Sequence, residues 1–240
     1  MKGFYFLMLL CFSVLIFSTG CSYLDSKKES GNGNVILEKR NLEPFDKINM
    51  LGNHNLIFVM GDNWTAEIMA DENLMDYLIT EVKDGELVVK SESGVSLVPT
   101  EQIIITVTAP LIAEFTMSGS GNIQIDNLIA ENQDFQIKGS GNINADISAF
   151  QVRARILGSG SINLKGNSET ARFRIAGSGN INADNLEVDY MSVDISGSGS
   201  SQVYVLEGLD VSVTGSGNLT YKGNPSLNQK ITGSGKVRSR

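Results

Sequence analysis

Through most of this chain of 240 residues apolar and polar positions alternate, and in the second half the alternation is locked to a recurrent tripeptide. Four residues after the first glycine of each Gly-Ser-Gly stand Ile123, Ile143, Ile162, Ile181, Ser201, Leu219 and Val237. Two further on stand Ile125, Ala145, Leu164, Ala183, Val203 and Tyr221. The column between is polar: Gln124, Asn144, Asn163, Asn182, Gln202, Thr220 and Arg238. The same alternation leads into the tripeptides, with the pairs Phe115/Met117, Phe135/Ile137, Ala154/Ile156, Phe173/Ile175, Val193/Ile195 and Val211/Val213. Apolar, polar, apolar is the period of a strand with one buried face. Each repeat therefore predicts a strand, a corner, a second strand and a looser connection. The connection carries apolar anchors of its own, Leu128, Ile147, Leu186, Leu206 and Leu227, which predict a third side.

The seven tripeptides begin at Gly119, Gly139, Gly158, Gly177, Gly197, Gly215 and Gly233, and end at Gly121, Gly141, Gly160, Gly179, Gly199, Gly217 and Gly235. Their spacings run between 18 and 20 residues, the signature of a solenoid whose coils bury a core only by stacking. The expected fold is all-β: a single-stranded parallel β-helix, right-handed by the usual crossover preference, over residues 119–240. Glycine suits a corner because it reaches positive φ freely and lets backbones approach. The serines between the glycines are expected to pass hydrogen bonds from coil to coil.

Residues 35–118 read as a less regular β region. Expected strands are Val35–Glu38, Phe45–Met50, Asn55–Met60, Thr65–Ala70, Leu78–Val82, Glu86–Ser91 and Gln102–Ala109. Asp84-Gly85 predicts a type I′ hairpin. Asp71 heads a short helix near residues 71–78 as its N-cap, and Ser91–Thr100 reads as a loop. Leu51-Gly52-Asn53-His54-Asn55-Leu56 resembles a degenerate repeat, which starts the solenoid near Phe45.

The N-terminus changes the setting. Lys2 and the apolar run Phe4 to Phe17 form an export signal over residues 1–20, too short for a membrane span. Ser18-Thr19-Gly20-Cys21 resembles a bacterial lipobox, so Cys21 is the expected lipidation site, holding the protein to a membrane without spanning it. Residues 21–34 then read as the lipidated cysteine and a flexible tether. The expected location is the cell envelope, as an exported lipoprotein of the outer membrane. With Cys11 removed and Cys21 acylated, no disulfide is available.

Composition excludes more than it assigns. A net charge of −8 argues against nucleic-acid partners. One histidine cannot serve seven serines as catalytic base, so no nucleophile is assigned. His54 itself reads as a surface spectator. Asp126, Asp146 and Asp184 share a column, but Lys165, Tyr204 and Lys222 interrupt it, so no calcium or other metal site is assigned and no cofactor is expected. Lys236, Arg238 and Arg240 read as protection of an open solenoid edge, or as a small basic contact patch. The candidate ligand face is the polar column Gln124, Asn144, Asn163, Asn182 and Gln202.

The repeated Gly-Ser-Gly-Asn-Ile-Asn at Gly139–Asn144 and Gly177–Asn182 resembles the head GIN domain family of adhesin-like bacterial proteins. So do Phe45-Asp46-Lys47-Ile48, Asp84-Gly85-Glu86-Leu87 and the stretch from Thr106 to Pro110 before Leu111. The resemblance covers about residues 40–240 and implies a β-helical, often lipoprotein-like or secreted protein without catalytic residues. The leading expectation is a non-enzymatic envelope lipoprotein presenting a β-solenoid to a glycan or protein surface. A polysaccharide-active β-helix enzyme and a self-assembling envelope component stand as alternatives.

Overall fold

A computed structural model describes residues 26–240. The export signal and Cys21 lie outside those residues. The N-terminal region contains β1 (Lys27–Ser30), β2 (Val35–Asn41), β3 (Lys47–Gly52), β4 (Asn55–Met60) and β5 (Thr65–Asp71). A 3-10 helix, Glu72–Tyr77, follows, then β6 (Leu78–Lys83), β7 (Glu86–Ser91), β8 (Val95–Val98) and β9 (Ile104–Ala109). The repeats comprise β10 (Glu114–Gly119), β11 (Asn122–Ile137), β12 (Asn142–Gly158), β13 (Ser161–Gly177) and β14 (Asn180–Gly197). They continue as β15 (Ser200–Gly215), β16 (Asn218–Lys222), β17 (Ser226–Gly233) and β18 (Lys236–Ser239).

From β10 onward every coil pairs in parallel with the next, equivalent residue opposite equivalent residue, in a solenoid of about 7 turns. Ile143 faces Ile162 and Ile156 faces Ile175, so each column of the sequence is a column in space. The inward columns are buried through β15, and only at the last coil do Tyr221, Ile231 and Val237 open to solvent. Phe115 packs edge-on to Phe58 at 5.2 Å between ring centres and stacks on Phe135 at 6.0 Å. Ala154 then separates Phe135 from Phe173 in the same column, alternating large and small. Ser201 enters the isoleucine column at no polar cost, because its hydroxyl donates to Ile181 O at 3.1 Å. Leu128, Ile147 and Leu186 are buried as expected of a third side. Leu206 is not, and the shorter coil buries Val205 in its place.

The two glycines of a corner are needed for different reasons. The first has φ between +115° and +155° in all seven copies. The second points inward: a Cβ at Gly179 would lie 2.6 Å from both Gly160 O and Ile156 Cγ2. Between them, the amides of Ser178 and Gly179 share Gly158 O at 3.0 and 3.1 Å. The expected serine ladder is corrected here. Among the described residues no side-chain hydrogen bond involves these serines, and it is backbone amides that stitch the corners together.

The degenerate repeat is the first of these corners: Gly52 pairs with Gly119, and β4 pairs with β11. Chain order and stacking order part company there. The strands β7 and β9 stack on one side of β3 and β4, whereas β10 and β11 stack on the other. The chain thus builds a coil, retreats to lay another beneath it, and returns above it. Antiparallel strands close the lower end, β6 on β7 through the Asp84-Gly85 turn, and β5 between β9 and β2. Both turn residues have positive φ, +50° and +76°, as type I′ requires.

Three local expectations need revision. Lys27–Ser30, read as part of a tether, pair as β1 with β8, which itself interrupts the expected 91–100 loop. Sequence alternation is weak in both, and each is a strand only because the other is present. Asp71 sits at the helix N-cap position but makes no cap bond. Its buried carboxylate instead accepts from the Thr100 hydroxyl at 2.6 Å and from the Thr100 and Gly33 amides at 2.8 Å each. The Thr100 hydroxyl, above all, holds this carboxyl below the usual aspartate range. Gly31 is required beside it, since a Cβ there would overlap the Asp71 carboxylate.

Candidate functional site

Coils this regular have no long loops between corners, so whatever the protein recognises must meet a face. The face after each corner carries the column singled out from sequence. Asn163 donates to Asn144 Oδ1 at 2.7 Å, Asn182 to Asn163 at 2.8 Å, and Gln202 reaches Asn182 at 3.5 Å. Gln124 stands apart and donates to Asp126 at 2.8 Å. A second ladder, two residues earlier, links Asn55, Asn122 and Asn142 at 2.7 and 2.9 Å. The structure therefore brings the candidate residues together, but as a hydrogen-bonded ladder rather than as free amides. Asn163 and Asn182 each keep one N–H and one lone pair for an outside partner, and Asn144 keeps both N–H groups and one lone pair. A groove of about 290 Å³ runs along it, bordered by Asn144, Asn163, Lys165, Asn182, Asp184 and Asn185.

Charges beside the ladder neutralise one another. Lys165 pairs with Asp146 at 3.0 Å, and this carboxylate raises the lysine pKa. Asp184 is held by Lys222 at 3.2 Å and by Arg240 at 3.3 Å. Lysines thus occupy the places where successive aspartates would be needed to enclose calcium. Among the described residues no three potential ligands cluster for a metal ion. Arg240 is folded back onto Asp184, while Lys236 and Arg238 lie on β18 at the exposed upper edge.

His54 is not on the surface. Only 4% exposed, it occupies the position of the second, inward-facing glycine in the degenerate corner. The chain beneath opens towards β8 there, leaving room for an imidazole that shares a hydrogen bond with Ser91 Oγ at 2.9 Å. Burial pushes its pKa down. Among the described residues no carboxylate hydrogen-bonds this pair, and the imidazole fills the corner.

The strands leading into the corners form another face, and here residues not singled out from sequence stand together. Arg153 lies opposite Arg172, and Arg155 opposite Arg174, on adjacent coils. The signal was legible: Val152-Arg-Ala-Arg and Ala171-Arg-Phe-Arg recur 19 residues apart, both arginines at outward positions. Arg153 approaches Asp134 at 3.6 Å and Arg172 approaches Asp194 at 3.5 Å. Next to them a groove of about 400 Å³ is bordered by Thr170, Tyr190, Ser192, Asp210 and Asn228.

Residues 44–225 match the family described as "Putative auto-transporter adhesin, head GIN domain". Among solved structures, a "putative adhesin" from Bacteroides fragilis has the same fold, with a TM-score of 0.82 at 22% identity over 88% of this chain and 100% of that one. A "putative adhesin" from Parabacteroides distasonis gives 0.67 at 25% identity, over 89% of this chain and 100% of that one. A "putative lipid binding protein" from the same species gives 0.73 at 25% identity, with the same two coverages. None of the curated proteins matches the sequence.

Proposed function

The chain belongs to the head GIN domain family of adhesin-like proteins, and from that premise we propose a non-enzymatic, lipid-anchored envelope protein that binds a glycan or protein surface through the faces of its solenoid. The observation that carries this reading is the uninterrupted, loop-free side of the stack. Its polar ladders repeat at the ~4.8 Å spacing of paired strands, a rigid array suited to an extended partner. Coils of 18 to 20 residues between Gly119 and Gly233 leave no length for the loops that wall a cleft in polysaccharide-active β-helices. The interior is filled by the phenylalanine and isoleucine columns, which favours recognition on the outside over a ligand held within.

Cys21 provides the anchor after removal of residues 1–20, and no helix among the described residues is long and apolar enough to cross a membrane. The purified protein should be retained on immobilised cell-surface glycans or matrix proteins. Absence of retention on every such surface would end the adhesion reading. Radiolabelled palmitate should mark the expressed protein, and a Cys21→Ser variant that still takes the label would remove the proposed anchor.

A further inference from the structure

Arg153, Arg155, Arg172 and Arg174 are four of the seven arginines in a chain of net charge −8, and they occupy one patch on two neighbouring coils. Strand geometry fixes the patch as a rectangle of backbone positions, ~4.8 Å between coils and ~6.6 Å along each strand. Like charges directly opposite one another destabilise a sheet. The neighbouring coils hold no further arginine at these outward positions: Asp134 and Gln136 lie below the patch, and Ser192 and Asp194 above it, followed by Asp210 and Ser212.

Internal partners account for only half of the quartet. Arg153 and Arg172 make long ion pairs, 3.6 Å to Asp134 and 3.5 Å to Asp194, and remain 46% and 64% exposed. Among the described residues, Arg155 and Arg174 make no ion pair and no side-chain hydrogen bond, and Arg155 Nε is shielded from solvent without a partner. One coil above, Tyr190 is 55% exposed and lies over Gly208, where a Cβ would meet the ring at 3.0 Å. Its ring borders the groove with Ser192, Asn228 and Asp210, whose carboxylate accepts from the Asn228 amide at 3.0 Å.

We infer that this face is the ligand site of the protein, and that the ligand is an acidic polysaccharide carrying carboxylate or sulfate groups. The inference deepens the proposed surface-binding function and rests on it. Guanidinium groups bind planar oxyanions through paired N–H donors, which favours arginine over lysine at each of the four positions. Tyr190 supplies an apolar ring for a sugar face, and Ser192 and Asn228 supply hydrogen bonds to hydroxyls. Asp134 and Asp194 flank the quartet and each draws in one of its guanidinium groups, while the net negative charge of the chain disfavours polyanions elsewhere on the surface.

The test is binding of the purified protein to dextran sulfate and to polygalacturonate, with neutral dextran and phosphatidylglycerol-containing vesicles alongside. Arg155→Gln/Arg174→Gln should weaken binding to both acidic polymers by about tenfold or more. Arg155→Lys/Arg174→Lys should recover only part of it, and Tyr190→Ala should weaken it severalfold. Lys236→Gln/Arg238→Gln removes the same charge from the far edge and should change affinity by less than about twofold. Thermal midpoints of all variants identify any that fail to fold. Equal loss in the quartet and edge variants would reduce the effect to diffuse charge and overturn the site. Quartet-dependent binding to the vesicles but not to the polymers would make the face a membrane contact and overturn the ligand class. Retention on neutral glycans or matrix proteins without any affinity for the acidic polymers would sink this inference but leave the proposed function standing. Failure to bind any surface would remove both.

Discussion

The corner at Gly52–His54 and the corner at Gly177–Gly179 occupy equivalent places in the stack, and they obey different rules. At the repeat corner an identical coil lies directly beneath, so the inward position has no space beyond a glycine Cα. At the lower corner the coil beneath opens towards β8, and an imidazole fits and is hydrogen-bonded by Ser91. The first glycine is kept at both corners, with φ of +102° at Gly52 and +131° at Gly177, so it answers to the turn; the requirement for the second comes from the neighbour. Regular stacking imposes one cross-section on every coil, whereas the N-terminal region relaxes it and closes the stack with the antiparallel strands β2, β5 and β6.

That contrast breaks most sharply in the middle of the stack. Gly179→Ala sets a methyl against Gly160 O and Ile156 Cγ2 and should cost about 3 kcal/mol. His54→Ala leaves a void and an unpartnered Ser91 and should cost about 1.5 kcal/mol. Urea denaturation of both variants decides the matter. A Gly179→Ala protein as stable as the parent, or less harmed than His54→Ala, would mean that coils can slide apart and that the neighbour does not dictate the corner.

A smaller effect separates the two polar columns of the repeat. Asn163 both donates to Asn144 and accepts from Asn182, so Asn163→Ala should cost about 1 kcal/mol. Among the described residues the Ser178 hydroxyl makes no hydrogen bond, and Ser178→Ala should lie within about 0.5 kcal/mol of the parent. The reverse ranking would restore the serine ladder expected from sequence.

How much was legible follows from the same contrast. Ile143, Ile162 and Ile181 reveal their column because a repeat presents each position several times, and stacking in register is then the direct consequence. Between serine and asparagine the same alignment could not choose, since both are polar and both recur. The choice depends on which side chain points along the stack. His54 was misplaced to the surface because its burial is set by β7 and β8, tens of residues away. The strands β1 and β8 are not legible for a related reason, since neither alternates strongly and each is completed by a remote partner. The insertion of β10 above β3 while β7 lies below is a tertiary order that no local period encodes. The arginine quartet is readable as Arg-x-Arg recurring after 19 residues, but a polar position of a half-buried strand carries any hydrophilic residue, so the alternation alone does not mark it as a site.

The finest test of the contrast is pH. His54 is buried with a lowered pKa, so below about pH 6.5, the ordinary histidine value, the unfolded chain binds a proton that the folded chain resists. Stability from this group is present above that pH and declines as the solution is acidified towards the folded pKa. Asp71 adds a later loss: its folded pKa is depressed, so its contribution persists at neutral pH and disappears as pH falls through the carboxylate range and past the folded value. Both groups lie in the N-terminal region. Denaturation midpoints between about pH 7.5 and about pH 5.5 should therefore fall in the parent and fall less in His54→Asn, which carries no titrating ring. Hydrogen exchange at the lower pH should rise first in β3, β4 and β7, which pack around His54, and later in β12 to β14. Were the repeat amides to open first, or His54→Asn to keep the full slope, the pH response would belong to the stack as a whole and the two corners would not differ in the way their packing requires.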